Sequence, residues 1–133
     1  MKNNNSISLL FYVGGFYDGI LGALFLLFGE QLFAFFGVTP PNHWGYIQFP
    51  ALILITFGIL FFQTASDPHK NRILIPYGIM LKASYCLVVF GYWILFSIPT
   101  MWKPFAIIDL VFGILFYWSY VRLKQPKAEQ QAA

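Results

Sequence analysis

Residues 73–97, ILIPYGIMLKASYCLVVFGYWILFS, constrain this chain most. The run is nearly all apolar, with one lysine, Lys82, close to its middle. A helix of about 25 residues, rising about 1.5 Å per residue, is long enough to cross the hydrocarbon core of a bilayer. A lysine at that depth must find a partner, reach water or serve a function. The rest of the sequence makes lipid the natural surroundings. Only 10% of the 133 residues are charged, against about 25% in a typical soluble domain. With 59% hydrophobic residues, a water-soluble chain of this size could not bury its apolar surface.

Three further apolar runs have the same character. The first span is expected at residues 8–28, after a short polar start, and Glu30 and Gln31 mark its outer end. It does not read as a cleavable signal, because it is too long, contains Asp18 and lacks a small-x-small site. LFAFFG, residues 32–37, reads as an amphipathic tail lying along the interface. The two prolines of VTPPNHW then force a loop. The second span is expected at 46–65, with Pro50 in its first turns, where a missing N–H costs little. SDPHKNR is a polar turn in which Asp67 and Pro68 read as a cap and first turn for the next helix. The third span is 73–97, stopped by Pro99, and the fourth is 104–123, stopped by Pro126. The tail at 126–133 is polar and expected to be disordered. Together these runs predict an all-α membrane protein: one domain, an antiparallel four-transmembrane-helix bundle.

Basic residues set the expected orientation. Lys2, Lys70, Arg72, Arg122, Lys124 and Lys127 fall on the side shared by both termini and the middle loop, whereas Lys103 alone falls on the other. That asymmetry predicts cytoplasmic N- and C-termini in a bacterial-type inner membrane. Trp44, Tyr46, Trp93 and Trp102 fall at the outer interface, and Tyr77, Tyr117, Trp118 and Tyr120 at the inner one, the depths that amphipathic rings favour. FGILF occurs twice, at 57–61 and 112–116, both times on a span running from outside to inside. Two helical hairpins related by an axis along the membrane normal would produce such a repeat; so would chance in a chain rich in Phe, Gly, Ile and Leu.

The polar residues within the spans are the candidate site. Asp18 lies near the centre of the first span. Lys82 lies about three residues inside the centre of the third, and Asp109 about three residues outside the centre of the fourth, roughly 4–5 Å either way. Lys82 and Asp18 are therefore about one helical turn apart in depth, and Lys82 and Asp109 nearly two. The lysine side chain reaches Asp18 more easily, and Asp109 stays within the margin of a turn. Each such charge costs about 2.5–3.5 kcal/mol at mid-span, so an Asp18–Lys82 pair, or a triad with Asp109, relieves the bundle of much of that cost. Two readings follow: an internal staple that fixes helix register, or a polar lining for a ligand, ion or proton path. Tyr17 and Tyr85 are placed to hydrogen-bond within this cluster or to serve as ordinary core tyrosines.

Gly15 and Gly19 form a small-xxx-small pattern, Gly22 extends it on the side of Asp18, and Asp109-x-x-x-Gly113 repeats it in the fourth span. Such faces permit close helix packing, within the chain or against a second copy. The remaining candidates carry less. His43 and His69 lie in loops on opposite sides and cannot share a metal. His69, Lys70 and Arg72 satisfy the positive-inside rule and could meet anionic headgroups. Cys86 is the only cysteine, so there is no internal disulfide and no cysteine-based zinc site. No nucleophilic triad, phosphate loop or paired metal ligands occur, and the dispersed basic residues do not suit nucleic acid. No cofactor and no metal are expected.

GGFYDGILGALFLLFGEQLFAFFGVTPP, FGILFFQTASDPHKNR, the lysine of GIMLKASY and DLVFGILF together make the chain, over about residues 10–120, resemble the small four-helix membrane proteins grouped as DoxX-like. The resemblance implies a small subunit associated with membrane oxidoreductase complexes that use quinone. It carries over Asp18, Lys82 and Asp109 as polar positions within the membrane and supplies no cofactor motif. The expectation is thus a non-catalytic integral membrane protein whose partners are the bilayer and a membrane protein or second copy. The alternative is a binder, carrier or isomerase for a quinone or lipid at the Asp/Lys site. Proton or ion passage is a third.

Overall fold

The computed structural model describes residues 2–124, so the expected tail at 126–133 lies outside the described residues. The protein is all-α. Its helices are α1 (Lys2–Phe35), α2 (Gly45–Ser66), α3 (Ile75–Leu95) and α4 (Lys103–Arg122). Short 3-10 turns, Arg72–Leu74 and Thr100–Trp102, lead into α3 and α4. All four helices are long and apolar enough to cross a membrane, and they form a four-transmembrane-helix bundle.

Local chemistry explains most of the boundaries. Pro76 and Pro104 occupy the first turns of α3 and α4, where proline's fixed φ suits a helix and its missing N–H costs nothing. Asp67 has a different role from the expected helix cap. It ends α2 in an extended conformation, and its Oδ1 accepts the Lys70 N–H at 3.1 Å. Asn71 donates to the carbonyls of Gln63 and Asp67. The polar turn is therefore held by its own side chains, and α3 starts after it.

α1 consists of two helical stretches that meet at a kink, and the kink falls where the first span is expected to end. Its helical geometry breaks once, at Phe28 (φ −125°, ψ 25°), and then resumes to Phe35. Gly37 ends it at φ +65°. The Gly37 N–H donates to Ala34 and the Val38 N–H to Phe33, at 3.2 and 2.9 Å. This is a Schellman cap, which needs a residue free to adopt positive φ. Val38 then packs on the cluster that contains Phe33, the apolar contact that commonly accompanies this cap.

Helix backbones approach closely within two pairs, α1 with α2 and α3 with α4. In the first pair, a Cβ on Gly22 would lie 2.5 Å from the Ala51 carbonyl oxygen, and one on Gly58 would lie 2.9 Å from that of Gly15. In the second, Gly113 faces the Cβ of Lys82. The glycine of each FGILF copy thus packs against the preceding helix of its own pair.

Side chains join the pairs. Phe11, Phe61 and Phe116, all fully buried, centre one cluster with Ile7, Ala65, Ile75 and Leu123 near the end where α1 begins and α4 finishes. Phe11 stacks on Phe116 with ring centres 4.5 Å apart, and Phe61 meets Phe116 edge-on at 4.9 Å. Phe25, Phe33, Ala51 and Met101 centre a second cluster toward the opposite end, with Trp44, Trp102 and Phe105 against it. Between these two apolar layers lies the polar site.

Candidate functional site

Three helices deliver one charged side chain each to the interval between the clusters. Lys82 on α3 donates to Asp18 Oδ1 on α1 at 2.7 Å and to Asp109 Oδ1 on α4 at 3.0 Å. Asp18 and Lys82 are almost wholly buried, and Asp109 keeps 9% of its side chain exposed. These are the ion pairs found among the described residues. An ammonium carries three donors. Two are spent on carboxylates, and the nitrogen lies 5.3 Å from the ring centres of both Tyr17 and Phe112 and 5.8 Å from that of Phe61. Aromatic faces at such range favour a cation. Two carboxylates and three aromatic rings thus surround the ammonium.

The carboxylates are not matched so fully. Asp18 Oδ2 is buried with no hydrogen-bond partner. Asp109 has one hydrogen-bonding partner, Lys82, and its remaining exposure borders two cavities. The larger has a volume of about 390 Å³. Asp18, Leu81 and Asp109 line it beside the ion pairs, and Phe25, Ile47 and Trp102 line it beside the second apolar cluster. All four helices contribute, and Pro50 and Phe105 lie along its walls. Its size falls within the ordinary range for a small-molecule pocket, and its make-up is the usual one, apolar walls with a few convergent polar groups. The smaller, about 300 Å³, lies between α3 and α4 and is bordered by Lys82, Cys86, Asp109, Gly113 and Tyr117.

The two tyrosines part company. Tyr85 donates its hydroxyl to the Trp102 carbonyl at 2.9 Å, tying α3 to the turn before α4, and its side chain borders the larger cavity. Tyr17 turns its ring toward Lys82, and its buried hydroxyl has no partner. The glycines serve helix approach. A Cβ on Gly15 would lie 2.7 Å from the Phe62 ring, whereas one on Gly19 would meet nothing within 4 Å. Gly22 packs on α2, while Asp18 reaches across to α3. Cys86 donates its thiol to the Ala106 carbonyl at 3.4 Å. His43 Nδ1 accepts the Gly45 N–H within its own loop.

The walls of the larger cavity were not singled out by the sequence. Phe25, Phe49, Trp102 and Phe105 are separated along the chain and resemble the many other aromatic residues of the spans. Pro50 was the nearest thing to a signal, a residue that marks a local change in an otherwise unbroken apolar helix. Among the described residues, no group of three His, Cys, Asp or Glu side chains is placed to hold a metal ion. No protein-family model, curated protein or solved structure matches this chain.

Proposed function

We propose that this protein is a non-catalytic, multi-pass membrane protein that binds a small lipophilic molecule from the bilayer in the cavity between its helix pairs. Its four spans run antiparallel, with both termini cytoplasmic, as the excess of Lys and Arg on that side supports. The observation that carries the reading is a cavity of about 390 Å³ whose lining includes Asp18 and Asp109 and is otherwise largely apolar. A purely structural ion pair needs no cavity beside it, and close packing would stabilise it better. Quinones and lipids of modest size are the molecules the membrane itself supplies to such a cavity. A role as an accessory subunit of a membrane redox complex rests on the DoxX-like resemblance and is compatible with ligand binding.

The cavity can be tested by filling it. Ile53 lines it and is half-buried. Ile53→Trp should leave the protein helical and monodisperse in mild detergent. Native mass spectrometry of the wild type should reveal a small co-purifying molecule that the variant has lost. Wild-type protein that emerges free of any such molecule, and gains none from added quinone or lipid, would contradict the reading.

A further inference from the structure

We infer that the cavity selects a lipophilic monocation. This rests on the ligand-binding reading above and narrows it to one charge type. The site brings two carboxyl groups to one ammonium. With both carboxylates ionised, its formal charge is −1 in surroundings where an uncompensated charge is costly. Lys82 cannot supply the balance, because its single charge is already shared between Asp18 and Asp109. Asp18 Oδ2, buried and unpartnered, belongs to a side chain that borders the cavity. Asp109 retains its small exposure beside the same space.

The walls add a second, independent preference. Phe25, Phe49, Tyr85, Trp102 and Phe105 all line the cavity. Aromatic faces attract a cation, more strongly when it is desolvated, and they accommodate an apolar body equally well. A molecule with one delocalised or alkyl-shielded positive charge and a hydrophobic frame satisfies both the deficit at the carboxylates and the walls. An anionic amphiphile meets repulsion from the carboxylates. A neutral one leaves the deficit to be met by a proton on one of the two carboxyl groups.

The test compares two probes of similar shape and different charge. Methyltriphenylphosphonium is a monocation, and triphenylphosphine oxide is its neutral counterpart. Binding of each to the intact protein in detergent is measured by titration calorimetry, with quenching of tryptophan fluorescence as a second readout, since Trp102 lines the cavity. The expected result is binding of the phosphonium at least tenfold tighter than the oxide, with the preference falling severalfold in Asp109→Asn. Asp109→Asn leaves the Lys82–Asp18 contact in place, and circular dichroism and gel filtration establish that it folds. The wild-type comparison stands even if that variant does not. Equal binding of the two probes overturns the charge selection while leaving the cavity as a binding site. Failure of both to bind, or binding of both that Ile53→Trp leaves unchanged, overturns the binding reading with it.

Discussion

Lys82 joins three helices through one nitrogen, and the consequences of removing it follow from what stays behind. In Lys82→Met the carboxylates of Asp18 and Asp109, which touch the same nitrogen at 2.7 and 3.0 Å, are left as close neighbours. Both have lost their cation, and water has little access to either. Removing one partner of a buried pair costs about 3–5 kcal/mol, chiefly because the other charge is left uncompensated. Asp18→Asn retains an acceptor for Lys82, and Lys82 retains Asp109, so its cost should be smaller. Asp109→Asn should cost least, because Asp109 is the most exposed of the three. The triple variant Asp18→Asn, Lys82→Met, Asp109→Asn leaves no charge to compensate. It should recover most of the stability lost in Lys82→Met. Retention of helical, monodisperse protein on heating in mild detergent measures the order. A triple variant no better than Lys82→Met would mean that the cluster contributes specific contacts rather than charge balance.

At the scale of the elements, the glycines divide by what their missing side chains make room for. Gly22 lies against a backbone carbonyl of α2, where a new Cβ would come within 2.5 Å. Gly91 on α3 has nothing within 4 Å of that position. Gly22→Val should therefore force α1 from α2 at a cost of about 1–3 kcal/mol, the usual penalty for overpacking. Gly91→Ala should be neutral or stabilising by up to about 1 kcal/mol, since alanine is the better helix former. Thermal scans of the two variants check both signs. The four spans were legible in the sequence because a helix in lipid announces itself by length and apolarity. The polar site was legible in part. Counting residues put Lys82 about one turn from Asp18 in depth and nearly two from Asp109, which favoured Asp18 and left Asp109 as second choice. The choice dissolves in the fold because an ammonium has donors enough for both. Which glycine is tight was not legible, since Gly15 and Gly19 fit the same pattern and only at Gly15 would an added Cβ meet a close neighbour. The stretch after Phe28 was anticipated only as an amphipathic tail; that its Phe33 packs edge-on against Trp44 at 5.2 Å was not.

The whole molecule is two closely packed helix pairs joined by a short polar turn, and the balance between them is set by side chains rather than by backbone approach. At one end Phe61 and Phe116 bring the pairs together, with Phe11 stacked beside them. Toward the other, Phe25 and Phe33 of α1 pack on Trp102. Between these layers the polar link is Lys82 with Asp18, since Asp109 belongs to the same pair as Lys82, and Tyr17 packs on Phe112 beside it. The larger cavity interrupts the packing beside it, where all four helices contribute walls. This division makes the chain separable. Residues 1–68 and 69–133, expressed together as two polypeptides, should assemble in the membrane and co-purify, because each half retains its own close helix pair. Arg72 helps the second half stand alone: its Nε donates to the Tyr120 carbonyl at 3.1 Å, and its guanidinium lies 3.7 Å from the Tyr120 ring centre. Association between the halves then depends on two contributions that mutation can separate. Lys82→Met in the second half should weaken recovery of the first half markedly, because it removes the polar link and leaves Asp18 unpaired. Phe116→Leu should weaken it less, because aromatic contacts around Trp102 remain. If co-purification survives Lys82→Met unchanged but is lost with Phe116→Leu, the aromatic layers hold the pairs together. The triad would then owe its place in the bundle to the cavity it borders.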